Sequence, residues 1–194
     1  MILAHTLAAL GVAAAAALVA RPEVLPEVLP PGPRVAVLTV EPHNLTGRSE
    51  HADDPAHLRA LTAALRGRLS GACGYEVAAV DSLAEARGRV GPGYFYAHPD
   101  AGAVLARDAG ADWVLIPRLN RASPWVTDLQ LHVVRAADGA VVSNRVVELK
   151  GFGMSDDLTV RLTERGAAWM ADQVDQAIGW AAAPGAPPPR HCPA

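Results

Sequence analysis

Proline decides where this chain is able to fold. Residues 21–33, RPEVLPEVLPPGP, hold five prolines. Each fixes φ and removes a backbone donor, so the segment reads as an extended linker. A second proline-rich run, AAAPGAPPPRHCPA, occupies residues 181–194. Regular structure is thereby confined to residues 34–180, a length that suits one domain. Ahead of the linker, residues 7–20 read LAALGVAAAAALVA. That stretch has signal-peptide length and is short and alanine-rich for a membrane span. Small residues offer cleavage after Ala17 or Ala20, which makes 1–20 a signal peptide. The opening MILAHT lacks Lys and Arg, a departure from that pattern. An uncleaved anchor is the alternative, and through it alone would the chain meet a membrane. The expected location is periplasmic or secreted.

Between the proline segments, hydrophobic periodicity changes along the chain. Residues 35–40, VAVLTV, form a continuous apolar run that suits a strand buried on both faces. A polar loop is expected over 41–54. Asp54 and Pro55 then match an N-cap and first helical position. Leu58, Leu61, Leu65 and Leu69 give that helix one apolar stripe, and Gly71 ends it. A strand follows at 75–80, a short helix at 82–89 capped by Asp81 or Ser82, a turn at 91–94, and a helix at 99–109 closed by Gly110. A third strand spans 112–119, where Pro117 predicts an edge or a bulge. In 125–135, Leu129, Leu131 and Val133 alternate with Asp128, Gln130 and His132, the pattern of a half-buried strand. Asp138-Gly139 is a hairpin turn signal, and 141–149 returns. A long helix runs from Ser155 or Asp156 to about Trp180, with Leu158, Leu162, Trp169 and Ile178 inward. The order β-α-β-α-α-β-β-β-α predicts an α/β (α+β) fold, a mixed sheet of about five strands with helices packed on it.

Charge narrows the function classes. The formal net charge is −3, so no basic field favours nucleic acid. No GxSxG elbow, Walker loop or Cys–His nucleophile pair is present, so no catalytic residue and no cofactor are assigned. Cys73 and Cys192 are the two cysteines. In an oxidising compartment they invite a disulfide, contributing at most about 4–5 kcal/mol by loop-closure entropy. Two unpaired thiols are the other reading, because spacing alone fixes neither geometry nor pairing.

Four constellations merit attention. His43, His51, Asp53 and His57 carry metal-ligand chemistry. Without HExxH or paired Cys/His spacing, a solvated loop is the preferred reading. Residues 151–157, GFGMSDD, precede a helix, yet their two aspartates oppose anion binding, so a turn and cap are preferred. Tyr94, Phe95 and Tyr96 form the densest aromatic cluster, either packing on the core or contacting a partner. Arg118, Asn120, Arg121, Ser123 and Trp125 gather where the hairpin begins, with Arg118 and Asn120 on one side of the strand. They suit a protein contact as well as a charged sheet edge guarded by Pro124.

Taken in order, GADWVLIPRLNRASPWVTDLQLHVVRAADGAVV (residues 110–142), the strand 35–40, Asn44-Leu45-Thr46-Gly47, and Arg165-Gly166 with Trp169 resemble a bacterial family of unknown function. That family is numbered 2380 or 3280 among the domains of unknown function. The resemblance covers most of 34–178. It departs at His43, at His51 and at the added 151–157 segment. More remotely the chain is similar to TolB amino-terminal and CsgG-like domains. The resemblance implies an exported protein without assigned activity that acts by binding envelope proteins. A periplasmic metal- or small-ligand-binding protein using loop 43–57 is the alternative.

Overall fold

The computed structural model describes residues 33–47, 55–123, 126–149, 156–181 and 192. The expected signal segment, nearly all of the linker and most of the tail lie outside them. So do Asp54 and segment 151–155. The elements are β1 (Arg34–Val37), β2 (Glu41–Asn44), α1 (Pro55–Gly71), β3 (Glu76–Ala78), α2 (Ser82–Gly88), α3 (Tyr94–Ala97), α4 (Pro99–Asp108), β4 (Trp113–Arg121), β5 (Thr127–Arg135), β6 (Val141–Glu148) and α5 (Asp156–Ala181). The strands form one mixed, open sheet in the order β3-β1-β4-β5-β6, with β2 also on β4. β1, β2 and β3 run parallel to their partners, whereas β4, β5 and β6 form an antiparallel meander.

Side-chain alternation builds two cores. Val35, Val37, Leu115, Leu129, Leu131 and Val133 point to one face, where they meet the leucine stripe of α1 and the Met170–Ile178 stretch of α5. Ala36, Leu38, Val114, Ile116 and Val134 point to the other, under Phe95 of α3 and Ala103 and Ala106 of α4. The second core is thin because its helix is built from small residues. A Cβ on Gly102 would lie 2.9 Å from Ile116 Cδ1, so glycine there sets how closely α4 approaches the sheet. On α5, Ile178 is buried and Trp169 is partly buried. The side chains of Leu158 and Leu162 lie outside the described set.

Two stretches expected as loops are ordered. Glu41–Asn44 is a strand, and Tyr94–Ala97 is a helical turn. Between β1 and β2 the chain makes a bulge. Val37 pairs with Leu115 and Glu41 with Arg118, so three residues oppose two. Leu38 N–H still reaches the Leu115 carbonyl at 3.0 Å. Thr39 N–H instead donates to Glu85 Oε1 at 2.8 Å, and Val40 N–H to Thr62 Oγ1 at 3.0 Å. Pro117 explains the position. Strand alternation points its nitrogen to the same side as the Leu115 carbonyl, against the bulge. A proline without N–H therefore fits inside β4, a central strand. Of the two alternatives for Pro117, the bulge holds and the edge does not.

Asp81 caps α2 by accepting from Leu83 N–H at 2.8 Å. Tyr75 Oη donates to the buried Asp175 carboxylate of α5 at 2.9 Å. Cys73, just past α1, is joined to Cys192 with Cα atoms 4.6 Å apart.

Thr62 also donates its hydroxyl to Leu58 O at 2.7 Å, so it serves α1 and the bulge together. Thr62→Val leaves the Val40 amide without its acceptor. The expected loss is about 1–3 kcal/mol of stability in urea unfolding. Unchanged stability would show that the bulge amide gains nothing from Thr62.

Candidate functional site

The bulge fixes which side chains reach the α3 face. Before it, Ala36 and Leu38 point there. One extra residue reverses the alternation, so Glu41 and His43 point there instead of Pro42 and Asn44. Their partners on β4 are Arg118 and Asn120.

Glu41 is 0% exposed. Its carboxylate accepts from Phe95 N–H at 3.3 Å and Tyr96 N–H at 3.1 Å, at the start of α3. Arg89 Nε stands 3.6 Å from the same carboxylate, and Arg89 Nη2 donates to Glu85 Oε1 at 2.9 Å. Burial pushes the Glu41 carboxyl above its ordinary range, and the two amides, then Arg89 and Arg118, pull it back. With both oxygens engaged and no exposure, Glu41 anchors α3 and is not a proton acceptor for an external group. Gly93, at φ +72, turns the chain into α3.

Anchoring α3 places Tyr96 over the sheet. The Arg118 guanidinium lies 3.7 Å from the Tyr96 ring centroid, and His132 stacks on the same ring at 3.7 Å with planes 19° apart. Arg118 Nε and Nη2 both donate to Gln130 Oε1, at 2.9 and 2.6 Å. Tyr96 Oη donates to Asn144 Oδ1 at 3.0 Å. On the β2 side, His43 Nδ1 lies 2.7 Å from Asn120 Oδ1, and Asn120 Nδ2 donates to Asp128 Oδ2 at 3.3 Å. Arg118 is half-buried and forms no salt bridge among the described residues. Burial lowers its pKa, partly offset by Tyr96 and Glu41. Tyr96 moves up through burial, against the pull of Arg118.

His132 is 8% exposed, and its Nδ1 is buried without a hydrogen bond among the described residues. Burial first, then the Arg118 charge, lowers its pKa to about 4. A neutral ring stacked on Tyr96 backs that ring, in contrast to the exposed polar face expected from the strand pattern.

The sequence-level candidates separate on the structure. Arg118, Asn120 and Tyr96 come together on this face. Arg121 lies on the opposite face at 1% exposure, and Phe95, also at 1%, belongs to the core. Neither is a surface contact. Tyr94 packs its ring on His98, with centroids 4.6 Å apart. Ser123 Oγ accepts from Val126 N–H at 3.1 Å within the hairpin turn. Trp125, His51 and Asp53 lie outside the described residues. His43 is committed to Asn120, and His57 stands on α1. Among the described residues no group of three metal-ligating side chains converges, and nothing supports the metal reading. Glu41, Gln130 and Asn144 were not among the sequence-level candidates. Gln130 and Asn144 carry only the period-2 polar signal of a half-buried strand, and Glu41 carries none.

The His132 shift has a sign. The folded state binds its proton less tightly than the unfolded chain, so this group adds stability above its ordinary pKa. That contribution fades as pH falls from about 6.5 toward about 4. The His132 ring resonances in an NMR titration are expected to move near pH 4. A midpoint near 6.5 would contradict a buried ring that feels the Arg118 charge.

One family model and several solved structures are similar to this chain. The family model DUF3280, described as "Protein of unknown function (DUF2380)", matches residues 33–173. The matched segment contains every strand among the described residues and stops short of Cys192. No curated protein matches the chain in sequence. Similar solved structures include the LpoB C-terminal domain from Salmonella enterica, with 18% identity, 64% of this chain and 87% of that chain covered, and a TM-score of 0.45. The PelC dodecamer from Paraburkholderia phytofirmans gives 16%, 77%, 89% and 0.45. TolB from Acinetobacter baumannii gives 11%, 76%, 28% and 0.42. At these identities and scores the likenesses say nothing about activity. The match over residues 33–173 is what assigns the chain, which belongs to the DUF3280 family of proteins of unknown function.

Proposed function

We propose that this protein is an exported, non-catalytic binding module of the bacterial envelope that acts through protein contacts. Its contact surface is the part of the sheet around Arg118 and Tyr96. The observation that carries the reading is the state of Arg118. Its guanidinium is held by Gln130 and by the Tyr96 ring, and no carboxylate neutralises it directly. A cation fixed in this way accepts an acidic side chain of a partner with little further loss of rotamer freedom. Arginine and tyrosine are the residue types that dominate contact energies. The apolar segment 7–20 supports export, and so does a disulfide, which persists in oxidising compartments.

A cross-linked pull-down of tagged protein from its own envelope fraction identifies the partner. The purified pair is then titrated. Arg118→Ala is expected to weaken binding about 30-fold, the equivalent of about 2 kcal/mol, while the domain stays folded. Full affinity in both Arg118→Ala and Tyr96→Ala would remove this surface from the contact.

A further inference from the structure

A second surface follows from the free edge of the sheet. β6 is a terminal strand in the sheet order, and among the described residues no strand pairs with its outer side. Leu149 N–H donates to Thr127 O at 2.7 Å, and the β5–β6 register continues from there. Antiparallel alternation then turns the backbone groups of Ser143, Arg145 and Val147 toward β5. Those of Asn144, Val146 and Glu148 turn outward. All three outward residues are exposed, and Val146 is an apolar side chain at 56% exposure. Edges of soluble sheets are usually blunted by proline, by charged side chains or by a bulge, and β6 carries two charges of opposite sign, Arg145 and Glu148. Here the irregularity lies at the far end of β6, between the Val133–Ser143 and Val134–Val141 pairs. Residues 144–148 remain regular.

We propose that two copies of this chain pair along β6, antiparallel about a two-fold axis at Val146. The strand is self-complementary in that register. Val146 lies opposite its own copy as a hydrogen-bonded pair, and Asn144 lies opposite Glu148 in both directions. The outward N–H and C=O groups of all three residues then find partners. On the other sheet face Arg145 lies beside Val147. A shift of the axis to Arg145 also satisfies the backbone, but it sets two arginines directly opposite each other, which is repulsive. The Val146 axis avoids that opposition, and the result is a closed, isologous pair. This association rests on backbone pairing and does not use the Arg118 side chain.

The test is sedimentation equilibrium of the full chain with its disulfide intact, together with single-cysteine variants. A concentration-dependent dimer is expected, and Val146→Lys is expected to abolish it at an unchanged melting temperature. Paired residues of this kind have Cα atoms about 5.5 Å apart, within disulfide reach. Val146→Cys is therefore expected to form a covalent dimer on mild oxidation. Glu148→Cys, whose opposite residue is Asn144, is expected to remain uncoupled. A monomer at every soluble concentration would overturn the proposal. So would a dimer that survives Val146→Lys, or equal coupling of the two cysteine variants.

Discussion

One extra residue in the first strand organises the rest of this molecule. Without the bulge at residues 38–40, β1 would run straight into β2 in constant alternation. Glu41 and His43 would then face α1 and α5. The bulge sends them to the other side, where Glu41 meets the amides of α3 and His43 meets Asn120. The two amides set free by the bulge are taken by Glu85 and Thr62, one from each helical layer. A local break in a ladder is thus stitched to both faces of the sheet. Proline at 117 suits β4 at the one place where the neighbouring strand withdraws its ladder groups.

From that break a chain of placements reaches the surface. Glu41 fixes the start of α3, α3 fixes Tyr96, and Tyr96 lies between Arg118 and His132. The arrangement holds the arginine without spending a counter-charge on it. Glu41, the carboxylate whose charge acts on it, is occupied by amides and by Arg89. His132 contributes by staying neutral, since a second cation beside Arg118 would repel it.

The elements whose cause is local were legible in the sequence. The leucine stripe of α1, the Asp138-Gly139 turn and the alternation of Leu129, Leu131 and Val133 each carry their own signal, and each forms as read. The bulge was hidden because its cause is distant. Its acceptors lie 22 and 46 residues away. Glu41 and its neighbours read as loop because they are mostly polar, and Glu41 is buried only because α3 supplies its hydrogen bonds. The same gap blurred the candidate site. Arg118 and Asn120 were placed on a common face by simple alternation, which also puts Arg121 on the other. Its burial, however, depends on the helical layer above it. Asn144 gains significance only through Tyr96, which arrives from another layer, and Gln130 through Arg118 on the neighbouring strand.

The Cys73–Cys192 bond closes a covalent loop of 119 residues in sequence separation. β3, β4, β5, β6 and every helix after α1 lie inside it. A protease that cuts any connection within that loop severs the chain but leaves its pieces tethered. The strands then stay at high effective concentration and can reassemble as a nicked domain. β1 and β2 lie outside the loop, although β1 sits between β3 and β4. A cut between Asn44 and Pro55 would leave β1 and β2 held by packing and hydrogen bonds alone. Resistance to proteolysis in this protein is therefore uneven by construction, and the connections ahead of Cys73, the one after β2 among them, carry no covalent protection.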